Sequence, residues 1–117
     1  MPIIAPSLLA SNFLKLQDEC TLVNESEADW FHLDVMDGRF VPNISYGLPV
    51  IEQISTIAKK PCDVHLMIWE PEKFTEAFKN AGADILTVHI EACVHLHRNI
   101  EQIKSLGMQA GVALNPH

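Results

Sequence analysis

The sequence predicts a parallel α/β barrel, present as roughly its first half, and three observations support this. Short apolar runs alternate with stretches of helical period along all 117 residues, the rhythm of repeating βα units. Within the runs, polar residues keep to one face. They also gather toward the carboxyl ends of the runs, where parallel α/β proteins build their sites.

Five strands are expected, over residues 3–8, 30–36, 62–67, 85–90 and 109–114. Four helices fall between them. Leu16, Cys20 and Val23 mark the apolar face of the first, and Val50, Ile54 and Ile57 that of the second. In the third, Phe74, Ala77, Phe78 and Ala81 follow the i, i+3, i+4, i+7 spacing. Pro71 stands near its start and Gly82 just past its end, where a left-handed cap costs glycine little. Leu96, Ile100 and Ile103, closed by Gly107, repeat that plan. Each crossover helix returns the chain parallel to the previous strand. No Pro/Gly/Ser linker, low-complexity tract or charge run divides the chain, so residues 1–117 are expected to form one unit without an internal domain boundary. The longest connection, residues 37–47, carries Asp37-Gly38-Arg39-Phe40-Val41-Pro42-Asn43, turn chemistry with a cation and an aromatic in it.

Period-two alternation separates the faces. On the second strand Trp30, His32, Asp34 and Met36 share one face, with Phe31, Leu33 and Val35 opposite. On the third, Asp63, His65 and Met67 oppose Val64, Leu66 and Ile68. Ser7, Thr87, His89, Glu91 and Asn115 add polar groups at the other strand ends. Helices covering one face and polar groups on the other suit a barrel better than an open doubly wound sheet, whose strands are apolar on both faces. A complete barrel takes ~250 residues, so five strands and four helices amount to its front half.

Composition narrows the function. The formal net charge is −7 without a Lys/Arg cluster, which argues against nucleic-acid or anionic-membrane partners. The three cysteines, Cys20, Cys62 and Cys93, have no C-x-x-C spacing, so neither a disulfide framework nor a thiolate zinc site is indicated. No run approaches the ~20 apolar residues of a membrane span, and Met1-Pro2-Ile3-Ile4-Ala5-Pro6-Ser7 shows no basic stretch followed by a long apolar run, so no secretory leader is expected. A soluble protein of the reducing cytoplasm is expected.

His32, Asp34 and His65, on neighbouring parallel strands, can converge as two imidazoles and one carboxylate, a set suited to a divalent transition metal with open positions. Spacing equally allows His32 and His65 as hydrogen-bonded core residues with Asp34 as their partner. Ser7 could be an ordinary strand-end hydroxyl and His89 a satisfied interior group, while His95 and His97 are expected in solvent. Met36 and Met67 could pack the barrel or form an adaptable apolar ceiling over a reactive intermediate.

The stretch His32-Leu33-Asp34-Val35-Met36-Asp37-Gly38-Arg39-Phe40-Val41-Pro42-Asn43 resembles the signature of ribulose-phosphate 3-epimerases. Ala5-Pro6-Ser7-Leu8-Leu9-Ala10, Asp63-Val64-His65-Leu66-Met67, His89-Ile90-Glu91-Ala92 and Gly111-Val112-Ala113-Leu114-Asn115-Pro116 agree in order. The resemblance implies a (βα)₈ barrel of the ribulose-phosphate-binding type, a sugar-phosphate substrate, and one divalent cation, often zinc, iron, manganese or cobalt. It further implies that His32, Asp34 and His65 are the metal ligands and that Asp34 doubles as acid/base. Ser7 and His65 would touch substrate, with Met36 and Met67 lining the pocket near the reacting carbon. The reaction implied is interconversion of ribulose 5-phosphate and xylulose 5-phosphate in the pentose phosphate pathway, through an enediolate. A hexulose 6-phosphate (allulose 6-phosphate type) 3-epimerase has similar motifs, and a non-catalytic half-barrel binding metal or a partner chain is the alternative of another class. In the family a second catalytic Asp, also the fourth ligand, and the phosphate-holding glycine loops belong to later strands. The chain alone is therefore expected to be inactive, and its open sheet edge leads us to expect self-association.

Overall fold

A computed structural model describes residues 2–115; Pro116, the last residue of the fifth motif above, lies outside them. Four parallel strands form a single sheet, β1 (Phe31–Met36), β2 (Cys62–Met67), β3 (Ile85–His89) and β4 (Gln109–Ala113), in the order β1-β2-β3-β4. The helices α1 (Leu16–Glu25), α2 (Leu48–Ile57), α3 (Thr75–Ala81) and α4 (Leu96–Ser105) alternate with them. This is the α/β architecture expected, with four strands in place of five.

The strand expected over residues 3–8 does not form. Pro2 and Pro6 have no N–H to donate to a ladder. The segment instead offers carbonyls to β1 and the two residues before it: Ile4 O accepts from Asp29 N (2.7 Å) and Trp30 N (3.2 Å), and Pro6 O from His32 N (3.1 Å). A single bridge, Ser7 to His32, results. Ser7 then caps a short 3₁₀ turn, Leu8–Ala10, by accepting from Leu9 N. Beyond that point the long connection takes over the edge of β1. Ser45 Oγ donates to Asp34 O (2.7 Å) and accepts from Met36 N (2.9 Å), and Asp37 bridges Ile44 in antiparallel fashion.

The core lies between the helices and the outer face of the sheet. Phe31, Leu33, Val64, Leu66, Leu86 and Val88 from the strands meet Cys20, Ile51, Ile54, Phe78, Ala81 and Ile103 from the helices. Neighbouring helices pack in sequence, α1 on α2, α2 on α3 and α3 on α4. Phe74 departs from the expected apolar face: it precedes α3 and is 43% exposed, because Pro71–Lys73 form a separate 3₁₀ turn that resets the helical phase. On α4 the buried positions are Asn99 and Ile103.

Gly82 ends α3 at φ +116°, and a Cβ there would strike Ser55 of α2. Gly111 faces Thr87 in register across β3 and β4, so close that any side chain would collide with it.

Candidate metal centre

The in-register pairing of β1 and β2 sets His32 beside Asp63 and Asp34 beside His65. With alternate residues on one face, four polar side chains project together from the inner side of the sheet. His32 Nε2 lies 2.8 Å from Asp34 Oδ1 and His65 Nδ1 3.1 Å from the same oxygen. Asp34 Oδ2 accepts from Ser7 Oγ at 2.7 Å. His32, Asp34 and His65 each offer one ligand atom within 4.8 Å of the others. Met36 and Met67 stand in register at the carboxyl ends of the same strands, half-buried.

The surrounding groups orient this set. His32 Nδ1 meets Asp63 Oδ2 at 2.9 Å, and Thr87 Oγ1 donates to Asp63 Oδ1 at 3.4 Å. His65 Nε2 meets His89 Nε2 at 2.8 Å. The backbone N–H of Asp34 donates to the Tyr46 hydroxyl at 3.1 Å, fixing the long connection beside the cluster. Asp37 Oδ1 accepts from the amides of Arg39 and Phe40 and its Oδ2 from that of Trp69, which ties the connection after β1 to the one after β2. Phe40 thereby packs edge-on against Trp69 and tilts over His89, with ring centroids 5.3 Å and 5.1 Å away.

Electrostatics follow from these contacts. Burial alone would raise the Asp34 carboxyl, but hydrogen bonds from His32, His65 and Ser7 outweigh it and hold the group well below the ordinary carboxylate range. The bonds to Asp34 and then Asp63 push His32 up to about 10, against the opposing effect of burial. Burial, with the neighbouring His65, lowers His89.

Two nitrogens and one carboxylate oxygen converging on the inner face of the sheet fit a divalent cation with open coordination positions. The second ring nitrogen of His32 already rests on a carboxylate, the outer-shell arrangement of metal-binding histidines. Alternation along the strands sets Asp63 and His89 on this side of the sheet; the sequence alone gives Asp63 no task and allows His89 as a satisfied interior group. Asp63 was within reach: the two polar-x-polar strands, laid in register, pair each histidine with an aspartate. Tyr46 and Ser45 carried no such signal, since their approach depends on the fold-back of a loop. His95 and His97 are exposed, as expected.

Comparison with known proteins agrees with this architecture. The Ribulose-phosphate 3 epimerase family matches residues 3–117. A ribulose-phosphate 3-epimerase of Synechocystis sp. is 53% identical over 116 residues, 97% of this chain and 50% of the relative. The protein of that name from Bacillus subtilis is 53% identical over 114 residues, 97% of this chain and 52% of its own length. A chloroplastic ribulose-5-phosphate-3-epimerase of Arabidopsis thaliana is 52% identical over 97% of this chain and 41% of its own. The chain thus spans about half the length of the curated relatives it matches. With four parallel strands, helices on their outer face and a match over nearly every residue, the chain belongs to the ribulose-phosphate 3-epimerase family.

Proposed function

We propose that this chain carries the metal-binding half of a (βα)₈ enzyme that interconverts D-ribulose 5-phosphate and D-xylulose 5-phosphate by moving the proton on C3. The observation that carries the reading is the convergence of His32, Asp34 and His65 within 4.8 Å, in a chain whose relatives bear that enzyme's name.

His32 Nε2, Asp34 Oδ1 and His65 Nδ1 would hold one divalent cation, and zinc, iron, manganese and cobalt all suit the donor set. Once bound, the cation supplies Lewis-acid stabilisation of the negative charge that develops on the sugar oxygens. Asp34 divides its labour between its oxygens. Oδ1 gathers both imidazoles, which leaves Oδ2, steadied by the Ser7 hydroxyl, to take the C3 proton. The electron pair of the broken C–H bond passes into an enediolate, and a second acid returns a proton to the opposite face of C3. Ser7 and His65 contact the substrate, and Met36 and Met67 close an apolar ceiling that keeps water from the intermediate. Among the described residues, the other carboxylate of the cluster, Asp63, is engaged by His32 and Thr87. Within the described cluster Asp34 therefore has no counterpart for the second face, and the 117-residue chain on its own is expected to bind metal without epimerising.

The decisive experiment joins this chain to the second half of the Bacillus subtilis relative and incubates the folded barrel with ribulose 5-phosphate in D₂O. Deuterium should enter C3, cease on chelation, and fail to enter in Asp34→Asn. A folded, metal-loaded barrel that left C3 protonated, or that exchanged allulose 6-phosphate faster, would overturn the assignment.

The free thiols of Cys20, Cys62 and Cys93 support a reducing, cytoplasmic setting, and among the described residues no helix is long and apolar enough to cross a membrane. Self-association is proposed to cover the outer edge of β4, where Val112 and Leu114 are 44% and 68% exposed. Sedimentation of the chain as a monomer at all concentrations would refute it.

A further inference from the structure

His65 enters the cluster through Nδ1 and turns its other nitrogen away from it. That nitrogen finds a second imidazole: His65 Nε2 and His89 Nε2 are 2.8 Å apart. The ring centroids are 4.9 Å apart and the planes differ by only 20°, so the rings meet edge to edge, as an in-plane hydrogen bond requires. Such a bond needs the hydrogen on one nitrogen and a lone pair on the other. Behind His89, its Nδ1 lies 3.7 Å from Glu91 Oε1, and Phe40 covers the ring. His89 is 6% exposed, so bulk water does not replace these contacts.

We propose that His89 is a positioning residue for His65, holding the ring by its Nε2 edge so that Nδ1 presents a lone pair to the cation site. The inference rests on the metal-site reading above and extends it. A ligating histidine is ordinarily held through its second nitrogen by a carboxylate, carbonyl or water. Asp63 does this directly for His32. His65 has the neutral ring of His89 in that place, with the Glu91 carboxylate one step further out. An imidazole suits the position because the same nitrogen can accept or donate. Without metal, His65 Nδ1–H faces Asp34 Oδ1 at 3.1 Å and Nε2 accepts from His89. With metal, both rings switch tautomer by exchange with solvent: His65 carries its hydrogen on Nε2, His89 Nε2 accepts it, and the hydrogen of His89 stands on Nδ1 toward Glu91. Each ring holds one hydrogen in both states.

The test is zinc titration of the full chain by calorimetry, for the unaltered protein, His89→Leu and His89→Gln, with circular dichroism to establish folding. His89→Leu should weaken zinc about 10- to 100-fold, and His89→Gln, whose amide oxygen can accept from His65, should recover most of that loss. Nitrogen-15 NMR of the zinc-loaded unaltered chain should find the hydrogen of His65 on Nε2 and that of His89 on Nδ1. Equal zinc affinity in His89→Leu, equal losses in both variants, or a different pair of tautomers would overturn the inference and leave the metal site standing. Failure of the unaltered chain to bind zinc would overturn both. If His89→Leu does not fold, His89→Gln and the tautomers decide.

Discussion

The two ends of the sheet use polar side chains differently. At the amino end they terminate on backbone. Lys60 Nζ donates to the carbonyls of Val23, Ser26 and Ala28 at 2.8, 2.8 and 2.6 Å, closing the end of α1. Asn24 spans the Ile57 carbonyl and the Lys59 amide, Asp84 takes the Cys62 amide at 2.8 Å, and Asp29 takes that of Ile4 at 2.8 Å. Along the inner face, from the second residues of β1 and β2 to the carboxyl end, Ser7, His32, Asp34, Asp63, His65, Thr87 and His89 bond chiefly to one another. A backbone group has one geometry and no alternative partner, so a side chain spent on it serves the fold. Bonds between side chains join groups whose partners a ligand can replace. Asp37 shows that the bonding partner matters more than the location. It sits at the carboxyl end, yet three backbone amides hold its carboxyl below the ordinary range against the effect of burial, which makes it a loop organiser.

Two substitutions probe this division most strongly. Asp34→Asn removes the negative charge that both imidazoles share and should weaken zinc by more than about 100-fold, about 2.7 kcal/mol, with a much smaller shift in the urea midpoint. A midpoint that fell as far as the affinity would make Asp34 a structural residue, and the contrast between the ends would fail. Lys60→Met removes three charge-assisted bonds, one to a carbonyl in the last turn of α1 and two to carbonyls just beyond it. It should cost about 2 kcal/mol in urea denaturation and leave zinc affinity unchanged.

Strand faces were legible in the sequence because period two needs no knowledge of neighbours. His32, Asp34 and His65 could therefore be placed on one side of the sheet from residues alone. Two things were not legible. Ile3, Ile4 and Leu8 read as a strand, but strand formation depends on donors, and the prolines at positions 2 and 6 withdraw them. Phe74 matched a helical spacing that a preceding 3₁₀ turn put out of phase. In the site, the pairing of His65 with His89 depends on the register of β2 against β3, a long-range property that no local window contains.

Asp63 sharpens the comparison because, on the proposed reading, it holds a ligand without being one. It is 9% exposed, and its partners are the side chains of His32 and Thr87. Asp63→Asn keeps the shape and an acceptor oxygen but loses the charge that supports His32 Nδ1–H. Zinc affinity should fall about 10-fold, the low end for an outer-shell partner, while Asp63→Ala should lose more. No change in either variant would mean that His32 is positioned by packing alone.

The smallest effect is expected at Asp29, and it tests the boundary between the two ends. Asp29 and Ile4 exchange two bonds, Ile4 N to Oδ2 at 2.8 Å and Asp29 N to Ile4 O at 2.7 Å. This clasp holds the segment that carries Ser7 against the edge of β1. Asp29→Ala deletes only the exposed half of it and should cost about 0.5–1 kcal/mol, read as faster hydrogen exchange at Ile4 and a slight drop in the urea midpoint. Zinc affinity should not change, because Pro6 O still accepts from His32 N and Ser7 still bridges the strand. A loss of zinc affinity as large as that of Asp63→Asn would show strain passing from the amino end to the cluster through residues 4–7, and the two ends would then have to be treated as one cooperative unit.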